Sequence, residues 1–220
     1  MPDMDETMSG EEVRQWWRAL MENVVALLED AHLLLVSGSS ARGRSLGILA
    51  QEELGKALWL YDAAHPVWTA GHGSITLPDK FEAMARKHPP KLIEALSFGQ
   101  QLAGFWGDYS HEESRPPELW LERFEREAAE KETAADRMNQ DKQSGFYVDR
   151  KQGTLHTPAD VGPQGIEEAL KRSTQVAEML LITDHSRMKH HGVAYDSTHD
   201  LQMRLLPFSH AEEYFHTRTE

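Results

Sequence analysis

Residues 45–60 read SLGILAQEELGKALWL, and this stretch decides the fold that the sequence predicts. On a helix its residues fall on two adjacent stripes, one made of Leu46, Ala50, Glu53, Ala57 and Leu60, the other of Ile48, Glu52, Gly55 and Trp59. The helix is therefore apolar on nearly all sides, which is typical of a helix at the centre of a bundle. Both glutamates lie among apolar neighbours.

The two adjacent glutamates need an explanation, because burying an unpaired carboxylate costs roughly several kcal/mol. Lys56 lies four residues after Glu52 and three after Glu53, so it can pair with one of them, and the other must find a partner across the bundle. Gly55 costs about 1 kcal/mol relative to alanine inside a helix, which indicates close approach of another backbone. Alternatively, Glu52 is exposed and Glu53 merely pairs with Lys56.

Helical periodicity extends over most of the rest of the chain. It predicts helices at about 11–37, 41–64, 78–87, 91–98, 119–138 and 164–190. Ser9 and Glu12 have the spacing of a capping box, Gly38 is a natural helix stop, and the pair His65-Pro66 should close the second helix. We therefore predict an all-α helical bundle with a short irregular or β-hairpin excursion near 140–162.

The predicted domain organisation is simple. Residues 1–10 are expected to be a disordered N-terminus, 11–190 a single helical bundle domain, and 191–220 an irregular, histidine-rich C-terminal tail. The first ten residues lack the basic and apolar regions of a signal peptide, and no apolar stretch is long enough to span a membrane. These features predict a cytoplasmic protein with no membrane partner.

Composition limits the possible chemistry. The 220 residues include 36 acidic and 23 basic side chains, giving a formal net charge of −13, and no cysteine. Such a charge argues against non-specific binding of nucleic acid, because that binding neutralises phosphates with Lys and Arg. Any contact with RNA must therefore use a local basic patch. The absence of cysteine excludes disulfides, thiolate metal sites and cysteine nucleophiles.

Three ordered blocks resemble a known family. HLLLVSGSSARGRSLGILAQEELGKALWL (32–60) is similar to the N-terminal signature of AbiV abortive infection proteins. RKHPPK (86–91) resembles the family's His-x-x-Lys segment at His88 and Lys91, and KQSGFYVD (142–149) resembles its glycine-aromatic-YVD block at Tyr147 and Asp149. The resemblance covers roughly residues 25–165. The chain departs from the pattern at Pro89-Pro90 and at Lys142, where an arginine is expected.

The resemblance carries functional expectations. The family belongs to the HEPN superfamily of helical bundles, many of which are dimeric, metal-independent ribonucleases. It implies a phage-defence protein that arrests growth through RNA cleavage or interference with translation. It also implies a homodimer and no cofactor.

A basic helix break on this acidic chain supplies the candidate site. His88 lies beside Arg86, Lys87 and Lys91, and could transfer protons with Glu53 as its orienting carboxylate and Lys91 or Lys56 as a phosphate clamp. The candidate catalytic residues are His88, Glu53, Glu52, Lys56 and Lys91, and the candidate binding residues are Arg86, Lys142, Tyr147 and Asp149. Alternatively, His88 is an ordinary surface histidine at a basic helix end.

Other motifs and function classes remain open from the sequence. The superfamily's Arg-x4–6-His pattern occurs at Arg150–His156 and Arg204–His210, but chance supplies about two such pairs. Glu-x-x-His, the spacing of di-iron bundles, occurs at Glu29–His32 and Glu213–His216, which leaves a carboxylate/His metal-binding bundle as a lesser alternative. We predict no metal. A third class is a non-catalytic bundle that binds a phage or host protein, for which the aromatic cluster Phe105, Trp106 and Tyr109 could serve.

Overall fold

A computed structural model gives the structure of residues 7–77, 81–105, 117–193 and 196–209. Within these ranges the helices are α1 (Gly10–Val36), α2 (Ser40–Ala70), α3 (Phe81–Ala85), α4 (His88–Phe105), α5 (Pro117–Phe146), α6 (Ile166–His191) and α7 (His199–Ser209). The strands are β1 (Thr7–Ser9), β2 (Ser74–Thr76), β3 (Asp149–Lys151) and β4 (Thr154–His156). β1 pairs antiparallel with β2, and β3 with β4. The predicted all-α bundle with a small hairpin excursion is confirmed.

Helix α2 lies at the centre of the bundle. It packs against α1, α4, α5 and α6, so most of its length is surrounded by other helices. The main core forms where α1, α2 and α6 meet, around the fully buried side chains of Trp17, Leu60 and Leu180. The all-round apolar pattern of residues 45–60 follows from this central position.

The local signals at both ends of α1 are confirmed. The Ser9 hydroxyl accepts a hydrogen bond from the Glu12 amide at 3.2 Å, and the Glu12 carboxylate accepts from the Ser9 amide at 2.8 Å. This reciprocal arrangement is a capping box. At the other end Gly38 has φ of +81°, a left-handed conformation that glycine adopts without steric cost and that stops the helix.

The predicted end of α2 at His65-Pro66 is wrong, because the helix continues to Ala70 with Pro66 inside it. Proline removes one backbone hydrogen bond and costs about 3 kcal/mol in a helix interior. Trp68 offsets this cost: its ring packs edge-on against Trp17 at 6.0 Å, and its indole Nε1 donates to the Gly10 carbonyl at 2.8 Å. Tertiary packing of the last turn therefore overrides the local proline signal.

Three further boundaries differ from those expected. Thr7–Ser9, expected to be disordered, form β1 because β2 offers them an antiparallel partner. His199–Ser209, expected to be irregular, form α7, whose Leu201 and Leu205 are buried against the core. Helix α5, expected to end near residue 138, extends to Phe146, so the hairpin strands begin only at Asp149.

Two glycines bring α4 and α5 onto α2. A Cβ on Gly55 would lie 2.7 Å from the carbonyl carbon of Lys91 and would overlap its oxygen, so α4 crosses α2 in direct backbone contact. A Cβ on Gly145 would overlap the Ala41 carbonyl oxygen and the Ser45 hydroxyl, so the last turn of α5 crosses α2 equally closely. The close approach predicted at Gly55 is confirmed. These two crossings lie on either side of Glu52 along α2.

The Gly55→Ala variant is expected to be less stable than the parent, by about 1–3 kcal/mol of unfolding free energy or more. Alanine gains about 1 kcal/mol in helix propensity, but its methyl group overlaps rigid backbone of α4. Gly47→Ala is the matched control, because its methyl group meets only the end of the flexible Leu170 side chain. Urea unfolding of both variants measures the difference, and equal stability of the two would contradict the crossing at Gly55.

Several expectations fall on residues outside the described ranges. These are Trp106, Tyr109, His210 and the Glu213–His216 pair, together with most of the expected disordered N-terminus. Among the residues that the structure does describe, none of the helices combines the length and hydropathy needed to cross a membrane.

Candidate active site

A buried carboxylate with three basic partners lies at the centre of the bundle. Glu52 of α2 is 2% exposed. Its Oε2 lies 2.7 Å from Nδ1 of His88 and 3.4 Å from Nζ of Lys91, while its Oε1 accepts a hydrogen bond from Nζ of Lys142. Both lysines are buried, whereas the His88 side chain is 46% exposed. We call these four residues the Glu52 cluster.

Three helices hold the cluster in place. His88 is the first residue of α4, and Lys91 follows one turn later. Pro89 and Pro90 fit between them because the amides of a first helical turn have no intrahelical partner to lose. Lys142 lies in the penultimate turn of α5, and its carbonyl accepts a hydrogen bond from the Ser45 hydroxyl at 2.9 Å.

The environment of Glu52 keeps it ionised. Burial alone would raise the pKa of its carboxyl, but hydrogen bonds from Lys142 and His88 and the charges of Lys142 and Lys91 outweigh burial, so the pKa is lowered from its ordinary value of 4.5. An ionised carboxylate only accepts hydrogen bonds. The 2.7 Å contact is therefore a hydrogen bond when the proton is on Nδ1 of His88, the tautomer that leaves Nε2 of a neutral imidazole with a lone pair.

The cluster carries a surplus of positive charge. One carboxylate faces two buried ammonium groups, so the net charge of the cluster is +1 even when the imidazole is neutral. Such a surplus attracts a phosphate group and repels a divalent cation. Because His88 is the exposed member, a substrate from solvent meets its ring first. The arrangement is suited to proton transfer at Nε2 beside a bound anion.

The structure separates the two adjacent glutamates. Glu53 pairs with Lys56 at 2.7 Å, and their side chains are 21% and 20% exposed. Glu52 therefore takes the position beside His88 for which we considered Glu53, and Lys56 is occupied by its own neighbour. Lys56 therefore pairs with Glu53, and Glu52 has its partners on α4 and α5. This agrees with the prediction that Lys56 can neutralise only one of the two glutamates.

The remaining predicted residues lie near members of the cluster in the sequence. Arg86 is exposed in the link between α3 and α4, two residues before His88. Tyr147 is 64% exposed just beyond the end of α5, and Asp149 opens strand β3, where its Oδ1 accepts from the Arg150 amide at 2.8 Å. Of the candidate binding residues, Lys142 is the one in direct contact with Glu52.

The Glu-x-x-His motif of α1 does not form a ligand pair. Arg204 Nε donates to the Glu29 carboxylate at 2.9 Å, and the His32 ring stacks on Phe208 with ring centroids 4.3 Å apart. Within the described residues no group of three or more His, Asp or Glu side chains is arranged to hold a metal ion.

The Arg-x4–6-His arginines and His156 are not members of the Glu52 cluster. Arg150 lies on β3 opposite Leu155, so His156 is one residue out of register with it on β4. Both side chains are exposed on the hairpin. Arg204, the arginine of the second pair, is bound to Glu29, and its histidine lies outside the described residues.

A second buried ionic group was not foreseen from the sequence. Asp184 of α6 is fully buried and lies 2.8 Å from both Arg14 of α1 and Arg187 of its own helix. Both guanidinium groups stack over the Trp68 ring, at 5.2 and 5.5 Å. Beside them, burial raises the pKa of Tyr61 to about 12. This group ties α6 to α1 and α2. The feature of the sequence that could have revealed this group is Asp184 itself, a charged residue four positions after Leu180 on the apolar face of α6.

The lowered pKa of Glu52 predicts an acid-sensitive contribution to stability. A group whose pKa is lower in the folded protein stabilises the fold above its unfolded pKa, near 4.5, and loses that contribution as the pH falls through the folded value. Glutamine at position 52 mimics the protonated acid, so the stability difference between the parent and Glu52→Gln should be largest at neutral pH. It should shrink steadily below about pH 4.5. Urea unfolding of both proteins across this range measures it, and a difference independent of pH would contradict it.

Comparison with known proteins identifies the family. The HEPN_AbiV family model, described as AbiV, matches residues 12–178. A comparison with curated proteins and one with solved structures give no match. The matched range runs from the first turn of α1 into α6 and includes every member of the Glu52 cluster. The chain therefore belongs to the AbiV family of HEPN proteins.

Proposed function

We propose that this protein arrests growth during phage infection by cleaving RNA at the Glu52 cluster, with His88 as the proton-transfer group and without a metal cofactor. Membership of the AbiV family indicates abortive infection, that is, phage defence. The observation that supports RNA cleavage is the imidazole of His88, held by a buried carboxylate through Nδ1 and flanked by two ammonium groups. The positive surplus of the cluster makes a divalent metal ion an unfavourable occupant.

The proposed reaction is transesterification within the RNA strand. Nε2 of His88 takes the proton of a ribose 2′-hydroxyl, and the 2′-oxygen then forms a bond to the adjacent phosphorus. The bond from phosphorus to the 5′-oxygen breaks, and this oxygen receives the proton back from the imidazolium. The products are a 2′,3′-cyclic phosphate and a free 5′-hydroxyl. A positioned general base of this kind contributes roughly 10²–10⁴-fold to the rate.

The other members of the cluster assist this step. Glu52 keeps the proton on Nδ1 and stabilises the imidazolium that forms, because its negative charge lies 2.7 Å away. Lys91 and Lys142 supply positive charge while the phosphate gains negative charge in the transition state. Arg86 and Lys87, exposed just before His88, add to the local basic patch that an acidic chain needs to hold RNA. The proposal includes a homodimer, as the family resemblance implies, and a cytoplasmic location, as the sequence features predict.

RNA cleavage is tested with the purified protein and total RNA in the presence of EDTA. We expect fragments that end in 2′,3′-cyclic phosphates. A short RNA carrying 2′-O-methyl groups throughout is the matched control, because it keeps the phosphates and removes the attacking hydroxyl. Intact total RNA, or equal cleavage of the methylated strand, would contradict the proposal.

A second candidate is a non-catalytic bundle that binds a phage or host protein. Leu33 and Val36, at the end of α1, are 69% and 89% exposed, and exposed apolar side chains of this kind mark protein contacts when they are grouped. A Val36→Asp variant that loses growth arrest while RNA cleavage is unchanged would favour this candidate over the ribonuclease.

A further inference from the structure

A cavity lies between helices α2, α4, α5 and α6. Its volume is about 730 Å³. Small-molecule sites in proteins have volumes of roughly 300–1,000 Å³, so the cavity has the size of such a site. None of the four residues of the Glu52 cluster lines it. The cavity is therefore a separate place on the bundle at which a ligand can bind.

Apolar side chains form most of the walls of this cavity. The larger ones are Ile48, Leu96, Met138, Ile166, Leu170 and Val176. Ala95 and Gly99, one turn apart on α4, and Ala169 of α6 also line it, and their short side chains leave the space between the helices unfilled. Small-molecule sites have walls of this apolar kind, with a few polar groups that fix the orientation of the ligand.

The charged side chains in the lining neutralise one another. There are four of them, and they form two ion pairs: Arg44 with Asp141 at 2.7 Å, and Arg172 with Glu168 at 3.9 Å. Arg172 and Glu168 are exposed, so the cavity is open to solvent on their side. A charged ligand would enter the apolar interior without a free counter-charge, which is costly. The lining therefore favours an uncharged ligand.

One polar side chain in the lining has a fixed orientation. The Ser173 hydroxyl donates its hydrogen to the Ala169 carbonyl at 2.8 Å, so it can only accept from Gln51, whose Nε2 lies 2.7 Å away. The amide nitrogen of Gln51 is thereby held towards Ser173. Within the described residues no donor bonds the amide oxygen of Gln51. This oxygen remains available as an acceptor on a residue that lines the cavity.

We propose that this cavity binds an uncharged, largely apolar small molecule that carries a hydrogen-bond donor for the amide oxygen of Gln51. The apolar walls hold the body of the ligand, and Gln51 sets its orientation. A nucleic acid strand does not fit this lining, because its phosphates need positive charge that is not already paired. The inference goes beyond RNA cleavage and does not depend on it, since the cavity and the Glu52 cluster share no residue.

N-phenyl-1-naphthylamine is a probe with the required chemistry. It is uncharged and apolar, it has one N–H donor, and its fluorescence rises in apolar surroundings. Titration into the full chain, without RNA, should show saturable binding of one molecule per chain. 1-Anilinonaphthalene-8-sulfonate is the matched probe, because it adds one sulfonate to the same molecule. We expect it to bind about ten-fold more weakly or worse.

Two substitutions locate the probe. Ala169→Trp places a large ring at the cavity and should weaken binding of N-phenyl-1-naphthylamine about ten-fold or more. Ala129→Trp is its control, because Ala129 is an exposed alanine of α5 outside the lining. Gln51→Leu removes the acceptor at similar size and should weaken binding about 2–10-fold, the usual contribution of a neutral hydrogen bond. Gln140→Leu, at an exposed position on α5 outside the lining, should bind like the parent. Circular dichroism checks that each variant is folded.

The outcomes separate this inference from the ribonuclease. Absence of saturable binding would overturn it, and so would binding that a folded Ala169→Trp protein leaves unchanged, because the probe would then lie elsewhere on the surface. Equal affinity for the two probes would overturn the uncharged class of ligand. Parental binding by Gln51→Leu would overturn the hydrogen bond assigned to Gln51. None of these measurements uses RNA, so a protein that fails to cleave RNA leaves the cavity proposal standing.

Discussion

Replacing Glu52 by glutamine is expected to lower the free energy of unfolding by about 3–5 kcal/mol at neutral pH and to abolish growth arrest. The variant leaves Lys91 and Lys142 buried without the carboxylate that neutralises them. It also replaces the charged, acceptor-only carboxylate beside Nδ1 of His88 with a neutral amide that can present either an acceptor or a donor, so the position of the imidazole proton is no longer fixed. Urea unfolding measures the first effect, and a growth assay in cells that express the variant measures the second.

Glu53→Gln is the matched control, because it makes the same chemical change at the next residue of the same helix. Glu53 and Lys56 are partly exposed, and ion pairs of this kind contribute about 0–1 kcal/mol. We expect full growth arrest and nearly parental stability. If the two variants lost equal stability, the buried cluster would not be the reason for the loss.

A second substitution separates charge from packing. Lys142→Met in the Glu52→Gln background removes one of the two stranded ammonium groups and keeps an apolar stem of similar length. The double variant should be more stable than Glu52→Gln alone, because one uncompensated buried charge has been removed. A further loss of stability would mean that Lys142 stabilises the fold mainly through contacts other than its pair with Glu52.

Replacing His88 by glutamine is expected to lower RNA cleavage by about 10²–10⁴-fold and to remove growth arrest, with little change in stability. The His88 ring is 46% exposed, so its removal leaves the buried pair of Glu52 with Lys142 intact. Glutamine keeps a donor for the carboxylate but has no group that accepts a proton at neutral pH. Initial rates on one RNA and thermal unfolding of both proteins supply the two measurements.

His72→Gln is the control for this variant, because His72 is an exposed histidine in the link between α2 and β2. It should cleave RNA and arrest growth like the parent. A His88→Gln protein that is folded and still arrests growth would show that the imidazole is not the reacting group. The function would then have to be sought in binding to a protein.

The sequence alone carried enough information for the fold class and for most local signals. The capping box of Ser9 and Glu12 and the stop at Gly38 depend on neighbouring residues only, so they could be predicted without knowledge of the packing. The apolar periodicity of residues 45–60 likewise predicted a helix with several packing partners, and α2 contacts α1, α4, α5 and α6. The opposite holds for Pro66, where the distant contacts of Trp68 decide that the helix continues.

Sequence spacing predicted that one of two adjacent glutamates needs partners beyond its own helix if both are buried, because Lys56 is within reach of both and can neutralise only one. Only the tertiary structure decided that this glutamate is Glu52. The choice depends on where α4 and α5 cross α2, and those crossings are set by contacts between residues far apart in the chain, at Gly55 with Lys91 and at Gly145 with Ala41. Helix periodicity determines on which face of a helix a side chain lies. Which residues pack against that face depends on how the helices are arranged in the bundle.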